Sequence, residues 1–205
     1  MKRFAKSYLL LFMLLTALAA NALTPAQVLD KAYSALTKSK GVSASYTLTV
    51  SGQRQAGKIE SLGNKFHISA GGLETWYDGK TQWNYNSRNK EVTISTPTPS
   101  EVASVSPYAM ISSYKTLYSL QSLTSKIPGT YAIRLLPKNG KSPIKSAIIY
   151  VRSSDFQPCR LDVTSRDGAV SSVAITSIKT GQNFSSSAFT FQKSKYPNTE
   201  VIDLR

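Results

Sequence analysis

Two hydrophobic periods divide this chain. Near the N-terminus, Val28, Leu29, Ala32, Tyr33, Ala35 and Leu36 recur at steps of three and four, which places them on one face of a helix. Thr24 is positioned to cap that helix. Pro25 suits its first position, Gln27 completes a capping box with Thr24, and Gly41 suits its C-terminal stop. From Val42 the period changes to two: Val42, Ala44, Tyr46, Leu48 and Val50 alternate with Ser43, Ser45, Thr47 and Thr49, the pattern of a half-buried antiparallel strand. Similar runs follow at 58–62, 65–70, 73–77, 81–85 and 91–96, then at 131–136, 144–152, 159–164, 169–179 and 188–191. Gly63-Asn64, Asp78-Gly79, Asn139-Gly140 and Asp167-Gly168 supply turn chemistry between them. The pattern therefore predicts about eleven short strands in a large, strongly curved sheet or barrel.

Pro97-Thr98-Pro99 interrupts this series. Between Ser100 and Leu123, Tyr108, Ile111, Tyr114, Leu117, Tyr118, Leu120 and Leu123 recur at helical spacing, and Pro107 opens one of the predicted short helices. A helical insert between strands of a curved sheet can cap its open end. No Pro/Gly-rich linker divides the chain, so residues 23–205 read as one domain.

The first 22 residues read as a secretory signal: Lys2, Arg3 and Lys6 precede an apolar run from Leu9 to Ala20, and Ala20-Asn21-Ala22 offers a cleavage site after Ala22. The expected location is the periplasm. Lys and Arg number 25 against 11 Asp and Glu, a formal charge of +14 that becomes +11 once the signal is removed. In an exported protein such an excess faces an anionic membrane surface, an acidic partner or a cell-envelope polymer, or serves solubility alone; nucleic acid is not an expected partner.

Composition also limits the chemistry. There is one histidine, His67, and one cysteine, Cys159, too few for a Cys/His zinc site. Asp78 and Asp167 belong to turns, Asp30 to the polar side of the first helix, and Glu74 and Glu91 to strands of unknown separation, so no carboxylate pair is evident. His67 alternates with Phe66 and Ile68 and is expected on the opposite, solvated face. Cys159 follows Pro158 in a strand and is expected to be buried as a small hydrophobe. Neither a catalytic site nor a metal or cofactor is predicted.

The surplus lies in apolar and aromatic strand residues, among them Tyr46, Leu48, Phe66, Ile68, Trp83 and Tyr85. A barrel of this strand number is wider than side chains fill, which leaves room for an apolar cavity suited to acyl chains.

Asp78-Gly79-Lys80-Thr81-Gln82-Trp83-Asn84-Tyr85-Asn86, followed by Glu91-Val92-Thr93, resembles the DGKTxWxYxxxxxxVT segment of LolA-like outer-membrane lipoprotein carriers. The ending is similar too: Phe189-Thr190-Phe191, then Pro197, then Glu200-Val201-Ile202-Asp203. The resemblance implies an incomplete, half-open antiparallel barrel with a helical lid over an apolar cavity. It places Phe66, Ile68, Tyr108 and Ile111 in that cavity, beside Tyr46, Leu48, Trp83 and Tyr85 from the strand pattern. It further implies a monomeric carrier that takes acylated lipoproteins from an inner-membrane ABC transporter complex and delivers them to an outer-membrane acceptor. A lipid- or glycolipid-binding protein and a lipid-sensing regulatory module are the alternatives on the same fold. One departure stands out: family carriers have an arginine and a proline before the aromatic matched by Phe66, and the arginine links barrel to lid. Here the stretch is Leu62-Gly63-Asn64-Lys65, and alternation puts Lys65 opposite Phe66.

Overall fold

The computed structural model describes residues 23–38 and 40–205; the predicted signal segment and its cleavage point after Ala22 lie outside the described residues. Helix α1 (Pro25–Thr37) begins as its sequence dictates. Thr24 accepts from the Gln27 amide, and the Gln27 side chain accepts from the Thr24 amide. The helix ends at Thr37, so Gly41 is not its cap but the first residue of β1. A Cβ there would meet the Gln182 carbonyl and the Phe184 ring.

Strands β1 (Gly41–Val50), β2 (Gln53–Leu62), β3 (Lys65–Ala70), β4 (Leu73–Tyr77), β5 (Gln82–Asn86) and β6 (Glu91–Ser95) follow as successive hairpins. Helices α2 (Pro99–Val105) and α3 (Pro107–Leu117) then interrupt, before β7 (Tyr118–Leu123), β8 (Thr130–Pro137), β9 (Ile144–Arg152), β10 (Pro158–Ser165), β11 (Val170–Gln182) and β12 (Glu200–Asp203). All twelve form one sheet in the order β12-β6-β5-β4-β3-β2-β1-β11-β10-β9-β8-β7. Only the β12–β6 pair is parallel. The terminal strands β12 and β7 do not pair with each other, so the barrel stays incomplete and half-open.

Three elements differ from the sequence pattern, one of them β12, whose residues are not among the expected strands but pair in parallel with β6. The helical spacing that reaches Leu123 stops serving a helix at Leu117, and Tyr118–Leu123 is a strand. Tyr114, Leu117 and Tyr118 satisfy a helical period while Tyr118 and Leu120 satisfy a strand period, and so short a run cannot separate the two. Residues 188–191, expected as a strand, form no ladder; Ser186–Phe189 is a 3-10 turn. Both sides of β3, beneath that segment, are already paired with β2 and β4, which leaves no edge for it to join.

The main core fills the space between α1, α3 and the inner face of β7–β10. Val28, Leu29, Ala32, Met110 and Ile111 meet Ile133, Leu135, Ile149 and Val151 there. Each of these side chains larger than alanine contributes about 1.5–3 kcal/mol by leaving water. Tyr114 joins the two helices: its hydroxyl donates to Asp30 Oδ1 at 2.9 Å and lies 3.2 Å from the Ala26 carbonyl. Burial, then the bond to Asp30, pushes the Tyr114 phenol up to about 12. Lys115, 3.0 Å from the same carboxylate, holds Asp30 below its usual range. This exposed ion pair adds little stability by itself.

Tyr114→Phe is expected to cost about 1 kcal/mol at neutral pH, read from urea unfolding. A raised phenol pKa favours the neutral group in the folded state. The Tyr114 contribution is therefore complete below the unfolded value near 10 and lost as pH rises through about 12. The gap between wild type and variant should accordingly narrow above pH 10.

Candidate functional site

Six neighbouring strands, β4-β3-β2-β1-β11-β10, contribute side chains to a single cavity of about 320 Å³, which shows how strongly the sheet bends. The floor is apolar: Val42, Ala44 and Leu48 on β1, Ile59 and Ile68 on β2 and β3, and Leu161, Val173, Ile175 and Ile178 on β10 and β11. Leu36, Val105, Pro107 and Tyr108 close it from the helices. Ile175 and Ile178 are an odd number of residues apart, so strict alternation would put them on opposite faces. A register shift opposite Ser45 and Tyr46 restores both to the inside: Ala44 pairs with Ile178 and Tyr46 with Ile175.

Tyr46 shapes the wall. It pairs with Gly57, and a Cβ at Gly57 would overlap the phenol ring. With only hydrogen there, the ring lies across β2 and its hydroxyl donates to the Ser69 carbonyl at 3.2 Å. Burial pushes this phenol up, so it stays neutral. At the helical wall, Tyr108 packs on Tyr33 with centroids 6.1 Å apart, and burial followed by Tyr33 pushes its phenol up to about 12.

Of the eight residues expected in the lining, Tyr46, Leu48, Ile68 and Tyr108 are there. The other four are placed elsewhere. Phe66 is buried against Tyr77, with centroids 5.3 Å apart, and holds Val102 of α2. Ile111 sits inside the α1–α3 core. Trp83 and Tyr85 face outward: Trp83 pairs with Trp76 and Tyr85 with Glu74, whereas the inner face of β4 carries Thr75 and Tyr77. The inner positions of β5 are Gln82, Asn84 and Asn86, so its aromatic content belongs to the outer face. Missed from the sequence were Ile59, Leu161, Val173, Ile175 and Ile178. Their apolar character was visible, but the neighbourhood of β11 and β1 was not.

Among the described residues the insert is anchored without an arginine. Val102 packs on Phe66 and Tyr77, while α2 starts with the Thr98–Glu101 capping box and α3 with Ser106 as cap. No ion pair is found for Lys65 among the described residues.

His67 lies on the outer face as expected, but it is half-buried rather than solvated. It stacks on Trp76 at 4.8 Å and bonds Glu74 at 2.8 Å, with Glu60 3.8 Å from its other nitrogen. Tyr196 donates to the second Glu74 oxygen at 2.9 Å and packs with Trp76, Tyr85 and Phe191. Burial and this carboxylate push the Tyr196 phenol far up. The cluster faces away from the cavity and fastens the C-terminal segment to the sheet. Cys159 is half-buried, donates weakly to the Tyr150 carbonyl at 3.5 Å, and is pushed up by burial, which disfavours the reactive thiolate.

Gly57→Ala should displace the Tyr46 ring, break its bond to Ser69 and cost roughly 1–3 kcal/mol in thermal unfolding. In a Tyr46→Ala background the same Gly57→Ala change should add little further cost, the coupling expected of residues that share one space.

The sequence profile of the family described as "Outer membrane lipoprotein carrier protein LolA" matches residues 15–169, up to the turn before β11. Among curated proteins no relative matches the sequence. A solved structure of an uncharacterized conserved protein from Thermus thermophilus is similar at TM-score 0.57 and 15% identity, covering 86% of this chain and 96% of its own. A DUF1329 family protein from Desulfovibrio piger is similar at TM-score 0.50 and 12% identity, covering 85% and 100%. At these identities the likeness speaks for the fold alone. Proteins of the matched family are carriers and binding proteins rather than enzymes, and they work outside the cytoplasm. With most of its length matched by that profile and its half-open sheet capped by an inserted helix pair, this chain belongs to the LolA family of outer-membrane lipoprotein carriers, as a divergent member.

Proposed function

We propose that the exported chain, residues 23–205, is a periplasmic carrier that shields the acyl chains of lipoproteins and ferries them from the inner to the outer membrane. The observation that carries this reading is the apolar cavity between the bent sheet and the α2–α3 insert. A core needs no such space, since interiors pack as densely as organic crystals. Each methylene placed there contributes about 0.8 kcal/mol. Among the described residues no charged side chain lines the cavity, which suits cargo held by hydrophobic transfer and released without chemistry. In this reading an inner-membrane ABC transporter complex supplies the cargo and an outer-membrane acceptor receives it, with the protein acting as a monomer.

Volume favours keeping a second reading, a lipid- or glycolipid-binding protein or lipid-sensing module. About 320 Å³ is near the lower end of ligand pockets. A methylene is comparable in size to a water molecule, whose share of the liquid is roughly 30 Å³, so the space holds about ten of them. A triacylated cargo requires the insert to move outward, whereas a single lipid chain fits for about ten methylenes and extends past the mouth beyond that.

Isolation from the periplasm followed by native mass spectrometry separates these readings. A co-purifying lipoprotein supports the carrier, free lipid supports the second reading, and a protein that takes up neither acylated peptide nor lipid overturns both. Leu48→Glu should lower the affinity for a fluorescent fatty acid at least about tenfold, because the half-buried lining tolerates the carboxylate only where water reaches it. Its melting temperature should change little. Ile111→Glu, in the closed core, should instead prevent folding, as circular dichroism would show.

A further inference from the structure

The cavity opens at one end of the barrel, where several chain reversals converge. Its exposed lining residues mark the place: Gln55 next to the β1–β2 turn, Leu73 on the β3–β4 turn and Val105 at the α2–α3 corner. Ser171 brings the β10–β11 turn to the same mouth. Large apolar side chains stand in water around it, with exposures of 42% for Val50, 56% for Leu73, 45% for Val105 and 55% for Val170. Val50 lies on the Leu48 face of β1 and pairs with Ser171. Exposed aliphatic side chains gathered at one place mark an interaction surface rather than scattered accident.

This end of the sheet carries Arg54, Arg88, Lys90, Lys138, Lys141 and Arg166 against Glu91, Asp167 and Glu200, the last brought beside Glu91 by the β12–β6 pairing. None of the six cations is paired with a carboxylate among the described residues. Asp167 is taken up by its own turn, accepting from Ser165 and the Ala169 amide. The rim is thus aliphatic at its tips and cationic around them.

We infer that this rim docks on an anionic lipid bilayer, with the aliphatic tips entering the interfacial layer around the cavity mouth and the cations meeting headgroup phosphates. Charge complementarity selects the occupant. These turns hold six cations that meet no carboxylate among the described residues. They offer separate short aliphatics and a diffuse ring of cations, which a fluid anionic surface accepts without shape matching. Docking in this pose sets the mouth against the hydrocarbon boundary, so an acyl chain would pass between bilayer and cavity without crossing water. That consequence rests on the acyl-binding reading; the docking itself does not.

The test is co-sedimentation of the exported protein with vesicles of phosphatidylcholine alone and of phosphatidylcholine mixed with phosphatidylglycerol, beside uptake of a fluorescent fatty acid in free solution. Binding is expected only to the phosphatidylglycerol vesicles and should weaken with salt. Val50→Ser with Val170→Ser, at positions outside the cavity lining, should lower the partition coefficient about tenfold while fatty-acid uptake and melting temperature hold. Arg54→Glu with Arg88→Glu and Lys90→Glu should abolish vesicle binding under the same conditions. No sedimentation, equal binding to both vesicles, or binding that ignores these substitutions would overturn the proposal. So would a soluble protein captured through the rim in place of vesicles. Fatty-acid uptake without vesicle binding removes the docking surface and leaves the cavity reading intact; vesicle binding without uptake does the reverse.

Discussion

The pairing of β1 with β11 is the contact on which the remaining architecture depends. Without it there would be two separate hairpin ladders, β1–β6 to one side and β7–β11 to the other. Joined along the ten residues of β1, they become one sheet whose halves face each other across a cavity. The pairing brings residues 41–50 to residues 170–182, so its loop-closure entropy must be offset by what the closed arrangement buries. The offset comes from α1 and α3, whose apolar faces fill the inside of the β7–β10 half and leave the β1–β4 half partly vacant. The register shift near Tyr46 adjusts this junction by turning both Ile175 and Ile178 inward.

The asymmetry between the two halves makes a binding protein out of a barrel. Where α1 and α3 lie, the inner face is packed to full burial; where α2 turns into α3, it is spanned by only a short helix and a corner. Phe66 and Tyr77 hold that helix through Val102, and Tyr114 fixes α3 to α1. The first contact is entirely apolar and non-directional, the second hydrogen-bonded and specific. An apolar, non-directional contact yields more easily than a hydrogen-bonded one, so the α2 side of the insert is the less tightly held. The contact that holds α2 to the sheet is one of shape: an aromatic pair on the sheet and a valine on the helix.

The outer face has its own logic. Aromatic residues that the hairpin motif displays on β5 do not meet the ligand space; Tyr85, with Trp76 of β4, packs under Phe191 and Tyr196 of the C-terminal segment. His67 and Glu74 complete that contact. The motif is therefore structural here, since it fastens the tail that ends in β12 beside β6.

The sequence by itself determined most of the elements and the two faces of their strands. Capping residues and period set α1, turn pairs such as Asp78-Gly79 set the hairpins, and alternation separated Phe66 and Ile68 from His67, because these signals are local and written within a few residues. Through the hairpin motif it also pointed to the family that the sequence profile matches. Only the tertiary structure decided which face of each strand is concave. Trp83 and Tyr85 alternate as cleanly as Tyr46 and Leu48, yet the bend of the sheet puts one pair outside and the other inside. It also decided that Phe66 and Ile111 are core while Val173 and Ile178 are lining, since that depends on β11 meeting β1 and on where the helices come to rest. Period two assigns side chains to two faces, but curvature and long-range pairing, which no local pattern encodes, choose the one that encloses the cavity.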